Sequence, residues 1–351
     1  MSQQVLLIKI TSMGDLMHAL PALTDAAKAI PGVLFDWVAD QAFAEIPAWH
    51  PAVNRVIKSD HRRWKKNVMA SFRNGELKLF YRELNRDNYD LVIDSQNNLK
   101  SAAVALLRRI GTKTGEVHGL DKACVREKPA HWVYTHQHFV DRNEHSITHQ
   151  RQLMAKALGY PMPSSVPDYG INRSKFYLPD IELPERYLFF VHNASWITKL
   201  WPEQHWQQLI ELAIAAGYSV LLPCGNEEEQ QRAKRITAPY AQAHTLPRLS
   251  LSALAAIMDK AEGAACCDTG LGHLAGVLDL PSVSFYGPTD AKLIGSIGQH
   301  QQHIIAATES YNCAPCYRKT CRYEGYETSA CMQSFSPQGV WENLKILIDR
   351  R

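Results

Sequence analysis

The chain has 351 residues, 46% hydrophobic and 21% charged. That composition excludes a disordered or fibrous protein and suits two domains of roughly 150 to 200 residues each. Lys and Arg total 38 against 35 for Asp and Glu, a net charge of +3, far below that of a dedicated nucleic-acid binder. No apolar run approaches the roughly 18 to 20 residues that cross a bilayer. After Met1-Ser-Gln-Gln the chain enters the short run 5–10, which lacks the length and cleavage site of a signal peptide. A cytoplasmic location is therefore expected, with the 8 cysteines reduced or metal-bound.

In chain order, strands are predicted over 5–10, 35–40 and 91–96, and helices near 16–29, 72–87, 99–109 and 147–158. A stretch holding Pro161, Pro163, Pro167, Pro179 and Pro184 has no periodic apolar pattern and reads as an interdomain linker. Beyond it strands are predicted at 187–193, 218–224, 263–267 and 282–286. Helices follow near 203–216, 227–236, 251–262, 271–279 and 337–350. Such alternation marks parallel sheet with crossover helices. The chain is thus expected to be α/β, with two Rossmann-like domains facing a cleft, residues 1–175 and 176–336. The last helix, 337–351, is in position to pack back on the first domain. Ligands of such sheets bind at the carboxyl ends of the strands, so the loops that follow strands carry the argument.

The first strand leads into Thr11-Ser12-Met13-Gly14-Asp15. Asp15 stands either as a helix cap or as a carboxylate facing the cleft. His18 shares its helix face and reads most simply as a structural histidine. In the second half, Cys267-Asp268-Thr269-Gly270-Leu271-Gly272-His273 takes a strand through small residues into a helix, a natural diphosphate site. Gly270-x-Gly272-x-x-Ala275 fits the loose dinucleotide fingerprint, but three βα units precede it, so the phosphate-loop reading stands and the nicotinamide reading does not. Lys199, in the loop after the strand at 187–193, brings an ammonium suited to a departing diphosphate, or else is a solvated surface lysine. Glu227-Glu228-Glu229 is mostly a solvated helix face from which one carboxylate can reach a ribose hydroxyl. Between Arg55 and Arg73 the basic residues, among them Arg62, Arg63, Lys65 and Lys66, face the single acid Asp60. This patch suits an anionic partner or membrane surface, and without interleaved aromatics and glycines it disfavours nucleic acid.

Together these residues resemble the ADP-heptose:lipopolysaccharide heptosyltransferases, glycosyltransferase family 9. The likeness spans nearly the whole chain: Lys9-Ile-Thr-Ser-Met-Gly-Asp-Leu-Met-His18, Ala22-Leu-Thr-Asp25, Arg62-Arg63-Trp64, Asp94-Ser-Gln96, Arg126-Glu127, Lys199-Leu-Trp-Pro202, Asp268-Thr-Gly-Leu-Gly-His273 and Tyr286-Gly-Pro-Thr-Asp290. It implies a GT-B fold and inverting transfer of L-glycero-D-manno-heptose from the ADP-sugar to a Kdo (3-deoxy-manno-octulosonic acid) residue of the lipid A inner core. The setting it implies is the cytoplasmic face of the inner membrane. Asp15 matches the general base, and Lys199 a stabiliser of the leaving ADP. Ser195, Lys199, Glu229, Leu249, Asp268, Thr269, Gly270 and His273 match donor-site positions. Arg62, Arg63 and Arg126, with His18 beside Asp15, fall where the acceptor's phosphate and carboxylate groups are met. No Asp-x-Asp pair occurs, so neither a metal-clamped diphosphate nor a cofactor is expected for catalysis. The rival readings are a relative with another acceptor (a later core heptose or an autotransporter protein), a GT-B nucleotide-sugar epimerase, and a non-catalytic two-lobed binding protein.

Half of the cysteines lie in Cys313-x2-Cys316-x4-Cys321-x9-Cys331. The leading pair has the spacing of a metal knuckle, and four thiolates suit structural zinc or iron. Four reduced thiols bracing a loop are the alternative. Either role is structural and is expected away from the transfer step.

Overall fold

The computed structural model describes residues 3–112, 115–307 and 310–351. The chain divides into two compact units, Met1–Lys175 and Phe176–Arg351. The first holds β1 (Gln4–Ile8), β2 (Leu34–Asp40), β3 (Val53–Ser59), β4 (Leu91–Asp94), β5 (Glu116–Leu120) and β6 (His136–His138). They form one parallel sheet in the order β3-β2-β1-β4-β5-β6. The second holds β7 (Tyr187–Val191), β8 (Ser219–Leu222), β9 (Ala243–Thr245), β10 (Gly263–Cys267), β11 (Ser282–Tyr286) and β12 (Gln301–Ile305). Their parallel order is β12-β11-β10-β7-β8-β9.

Counted from its own first strand, each unit has the same doubly wound order. The strand order reverses between β1 and β4 in one and between β7 and β10 in the other, the crevice where such sheets bind ligands. These central strands are apolar because helices cover both faces: Val5, Leu6, Leu7 and Ile8 are fully buried, as are Phe189 and Phe190.

The strands missing from the sequence reading lie at or beside sheet edges. β3, β5, β6, β9 and β12 are polar or broken by glycine, so no apolar run announces them. In β5, Gly119 is required by packing, since a Cβ there would stand 2.4 Å from the Tyr134 ring. The helix expected over 72–87 is two helices, Val68–Arg73 and Glu76–Leu84, divided at Gly75, which takes φ +74°.

In the first unit, helix Met13–Ala29 lies against helix Ser146–Leu158, joined by a buried ion pair of Arg151 Nε with Asp25 at 2.6 Å. The second unit is centred on an aromatic cluster of Phe190, Trp201, Trp206 and Phe285. Its last helix, Pro337–Asp349, adds Val340, Leu344 and Leu347 to that core. A Cβ on Gly263 of β10 would meet Leu344 and Ile348 at about 3 Å. The last helix is therefore built into the core of the second unit.

Candidate active site

In the first unit the site is assembled by cross-links between the ends of β1 and β4. Gln96 Oε1 accepts from Ile10 N and Thr11 N at 3.0 and 3.1 Å. Lys9, 5% exposed, donates through Nζ to Ser95 O at 3.1 Å. Asp94 accepts from Gln96 N and Asn97 N at 3.0 Å and from the Tyr134 hydroxyl at 2.8 Å. Burial pushes the Asp94 carboxyl up and the Lys9 ammonium down, the latter against the pull of Asp15 and Asp94. The turn so fixed presents Ser12, whose N and Oγ both donate to Asp15 Oδ2, at 2.7 and 2.8 Å. Asp15 is half-buried in the first turn of helix Met13–Ala29. It caps its own helix, as one reading held, at the helix start just past the central strand β1.

The remaining first-unit residues divide. Arg126 is exposed, and its charge reaches Lys9. Arg62 is exposed with its guanidinium 5.7 Å from the Phe43 ring centre. Arg63 is committed elsewhere: Nε bonds Asp60 at 2.6 Å, while Nη1 and Nη2 hold both Glu76 oxygens at 2.8 and 2.7 Å. Arg55 is likewise paired, with Asp36, Glu83 and Asp87. The patch is therefore less cationic than its composition suggests. His18 is 3% exposed, its ring 5.7 Å from that of His145. It packs between helices, on the same helix as Asp15.

In the second unit the strand ends converge on Asp268. Lys199 Nζ lies 2.6 Å from Asp268 Oδ2, with side chains 12% and 3% exposed. Thr289 Oγ1 donates to the same oxygen at 2.6 Å, and His273 Nε2 stands 3.8 Å from Oδ1. The Lys199 ammonium also lies 4.7 Å from the centre of the Trp196 ring, a cation–π contact. Lys199 is thus an anchored cation and not a solvated one. Thr269 precedes helix Gly270–Val277, whose early N–H groups have no partners within the helix. Gly272 lets that helix start lie on β10, since a Cβ there would stand 3.0 Å from Cys267 O.

Ser195 is exposed in the loop after β7. Glu229, half-buried in the first turn of helix Glu227–Thr237 after β8, accepts from Gly225 N at 2.7 Å. Leu249, half-buried, follows β9. Strand direction puts these three on the same carboxyl edge as Lys199 and Asp268; of the predicted donor residues, Lys199 and His273 both contact Asp268. Thr289, Trp196 and Lys9 are members that residue-type reasoning passed over. Their signal was position, since Thr289 and Trp196 follow β11 and β7, and Lys9 is a lone charge closing an apolar strand.

The cysteine tail is not remote from this site. Thr198 Oγ1 donates to Arg318 O at 2.7 Å, Ser329 Oγ to Thr198 O at 2.8 Å, and Tyr317 N to Pro288 O at 2.8 Å. The tail therefore laces together the loops that carry Lys199 and Thr289. Cys313, Cys316, Cys321 and Cys331 line one cavity of about 190 Å³. Burial raises the Cys331 thiol, with Cys321 and Cys316 adding to the shift. Among the described residues, three metal-ligand atoms gather within 4.8 Å of one another only at Glu116, His118 and His136, so the four sulfurs share a cavity without converging.

Comparison with known proteins fits this geometry. The sequence model of glycosyltransferase family 9 (heptosyltransferase) matches residues 78–327. Lipopolysaccharide heptosyltransferase 1 of Pseudomonas aeruginosa is 44% identical, covering 98% of each chain. The Escherichia coli K12 protein of the same name is 41% identical over 88% of this chain and 95% of its own. The solved structure of E. coli heptosyltransferase WaaC with ADP superposes with a TM-score of 0.85 at 37% identity, covering 98% of this chain and 100% of that one. Two Rossmann-like units of this kind are the GT-B architecture, and a glycosyltransferase replaces the epimerase and the passive binder among the rival readings. The chain belongs to glycosyltransferase family 9, the heptosyltransferases.

Proposed function

We propose that the enzyme moves L-glycero-D-manno-heptose from ADP-heptose to a Kdo residue of the lipid A inner core in lipopolysaccharide synthesis, inverting the anomeric carbon. The whole-length likeness to heptosyltransferase 1 carries this reading. An acceptor hydroxyl is a poor nucleophile at neutral pH, so Asp15 takes its proton as the new C–O bond forms. The leaving ADP gathers charge on its β-phosphate. Lys199, held by Asp268, and the N–H groups of Thr269 and Gly270 receive that charge, and such preorganised donors are worth about 10²- to 10³-fold each. Ser195, Glu229, Leu249 and His273 complete the donor side. Arg62 and Arg126 meet the acceptor's anionic groups, while Arg63 holds its segment in shape through Asp60 and Glu76.

A lipid-linked acceptor calls for contact with the cytoplasmic face of the inner membrane. Met69 and Phe72 are 65% and 73% exposed beside Lys65, Lys66 and Arg73, an apolar and basic face that supports peripheral attachment. No helix among the described residues is long and apolar enough to cross a membrane. The tail braces the donor loops; zinc or iron held by Cys313, Cys316, Cys321 and Cys331 is its finer role, supported by their common cavity and tested by metal analysis of protein purified without added metal.

The function is tested by following ADP release and acceptor mass with ADP-heptose, chelator, and either Kdo-lipid A or an already heptosylated core. Transfer to Kdo-lipid A alone is the expected result. Transfer only to the heptosylated core would make the enzyme a later core transferase.

A further inference from the structure

A second cluster of ligand-type side chains stands at the opposite end of the first sheet from β3. β5 and β6 pair in parallel, with His118 opposite His136 and Leu120 opposite His138. Side chains two apart on a strand share a face, so Glu116, His118, His136 and His138 project from one side of this edge. The His118 and His136 rings stack at 4.7 Å and 15°, and the His118 and His138 rings at 5.2 Å and 21°. Glu116 Oε2 lies 3.4 Å from His118 Nε2 and 3.9 Å from His136 Nδ1. A tetrahedral ion with bonds of about 2.0 to 2.1 Å holds its ligands roughly 3.3 Å apart, and the three ligand atoms here lie within 4.8 Å of one another.

We propose that Glu116, His118 and His136 bind a divalent transition ion of borderline softness, Zn²⁺ foremost, which clips β5 to the edge strand β6. His138 is the positioning residue. Its Nε2 lies 3.0 Å from His118 Nδ1, so a proton on that Nδ1 turns the Nε2 lone pair toward Glu116, the outer-shell arrangement usual for metal-bound histidine. The Thr135 hydroxyl, 3.0 Å from His136 Nδ1, also accepts from Val117 N at 2.8 Å and donates to Val117 O at 3.2 Å. It stays satisfied when that nitrogen turns to the ion. Glu116 and His136 are 63% and 46% exposed, which gives the ion a way in from solvent. The donor set is imidazole and carboxylate, chemically distinct from the thiols of the tail.

The test titrates metal-stripped, full-length protein with Co²⁺, read by absorption, and with Zn²⁺, read by equilibrium dialysis and thermal melting. Expected in Cys313→Ser/Cys316→Ser, the background for the variants that follow, is one equivalent of Co²⁺ with d–d bands but no thiolate charge-transfer band. His136→Ala and Glu116→Gln, both at accessible positions, should lower affinity at least about tenfold and abolish the Zn²⁺-dependent rise in Tm. His138→Ala should cost about 10- to 100-fold in affinity. Absence of a thiolate-free Co²⁺ spectrum in Cys313→Ser/Cys316→Ser, or unchanged affinity in both His136→Ala and Glu116→Gln, overturns the proposal.

Discussion

The two units share one strand order, and each sets a carboxylate just past a central strand, yet the carboxylates keep different company. Asp15 accepts from Ser12 N and Oγ. Asp268 is bound by the Lys199 ammonium and the Thr289 hydroxyl, with His273 beside it. The first suits a group that receives a proton from substrate; the second suits an anchor that fixes a cation where phosphate charge develops. Environment assigns the role when topology is the same. The units also cohere differently, one through the buried Asp25–Arg151 pair between helices, the other through aromatic packing around Trp201 and Phe285.

Exchanging these roles by mutation breaks or sharpens the contrast. Asp15→Ala should lower transfer by about 10²- to 10⁴-fold while ADP affinity, measured calorimetrically, stays near that of the parent; near-parental turnover would remove Asp15 from the base role. Lys199→Ala should lower kcat about 10²- to 10³-fold and, unlike Asp15→Ala, weaken ADP binding. Should both variants lose ADP affinity equally, the division of labour fails. Arg151→Ala strands a buried carboxylate and should destabilise the first unit by about 3 to 5 kcal/mol in urea unfolding.

A smaller effect is expected from one neutral histidine in each unit. Burial holds His50 down to about 4 and His192 to about 3. His50 accepts from Ala52 N and lies 3.0 Å from the Thr24 hydroxyl; His192 donates to Pro223 O. Because the folded values lie below the usual ~6.5, the unfolded chain protonates first. The stability these groups contribute is complete above about pH 6.5 and declines as pH falls toward their folded values, by up to about 1.4 kcal/mol per pH unit for each. Urea midpoints between pH 7.5 and 5 check this, and His50→Gln should flatten the slope.

How far the sequence could be read follows from the same physics. Strands buried on both faces announce themselves as apolar runs, so β1, β4, β7 and β10, which carry the site, were legible along with their loops. Edge strands such as His136-Gln-His138 carry no such run, and with them went the Glu116 cluster. Arg63 shows the limit for charge: its partner Glu76 is 13 residues away, and only the fold reveals that the guanidinium is committed. Lys199 errs the other way, since nothing local distinguishes a solvated lysine from one held by Asp268. His18, buried beside His145, shows that helix packing and not periodicity decides which side of a helix faces solvent.

The account rests on direct displacement at the anomeric carbon by a hydroxyl deprotonated in place, with no metal on the diphosphate. Its most direct test is the linkage formed by the unmodified enzyme from ADP-heptose and Kdo-lipid A in excess chelator, read by NMR of the product. A new glycosidic bond of inverted anomeric configuration, formed at the rate seen without chelator, is predicted. Retained configuration, or ADP release with the acceptor left unglycosylated, would contradict it.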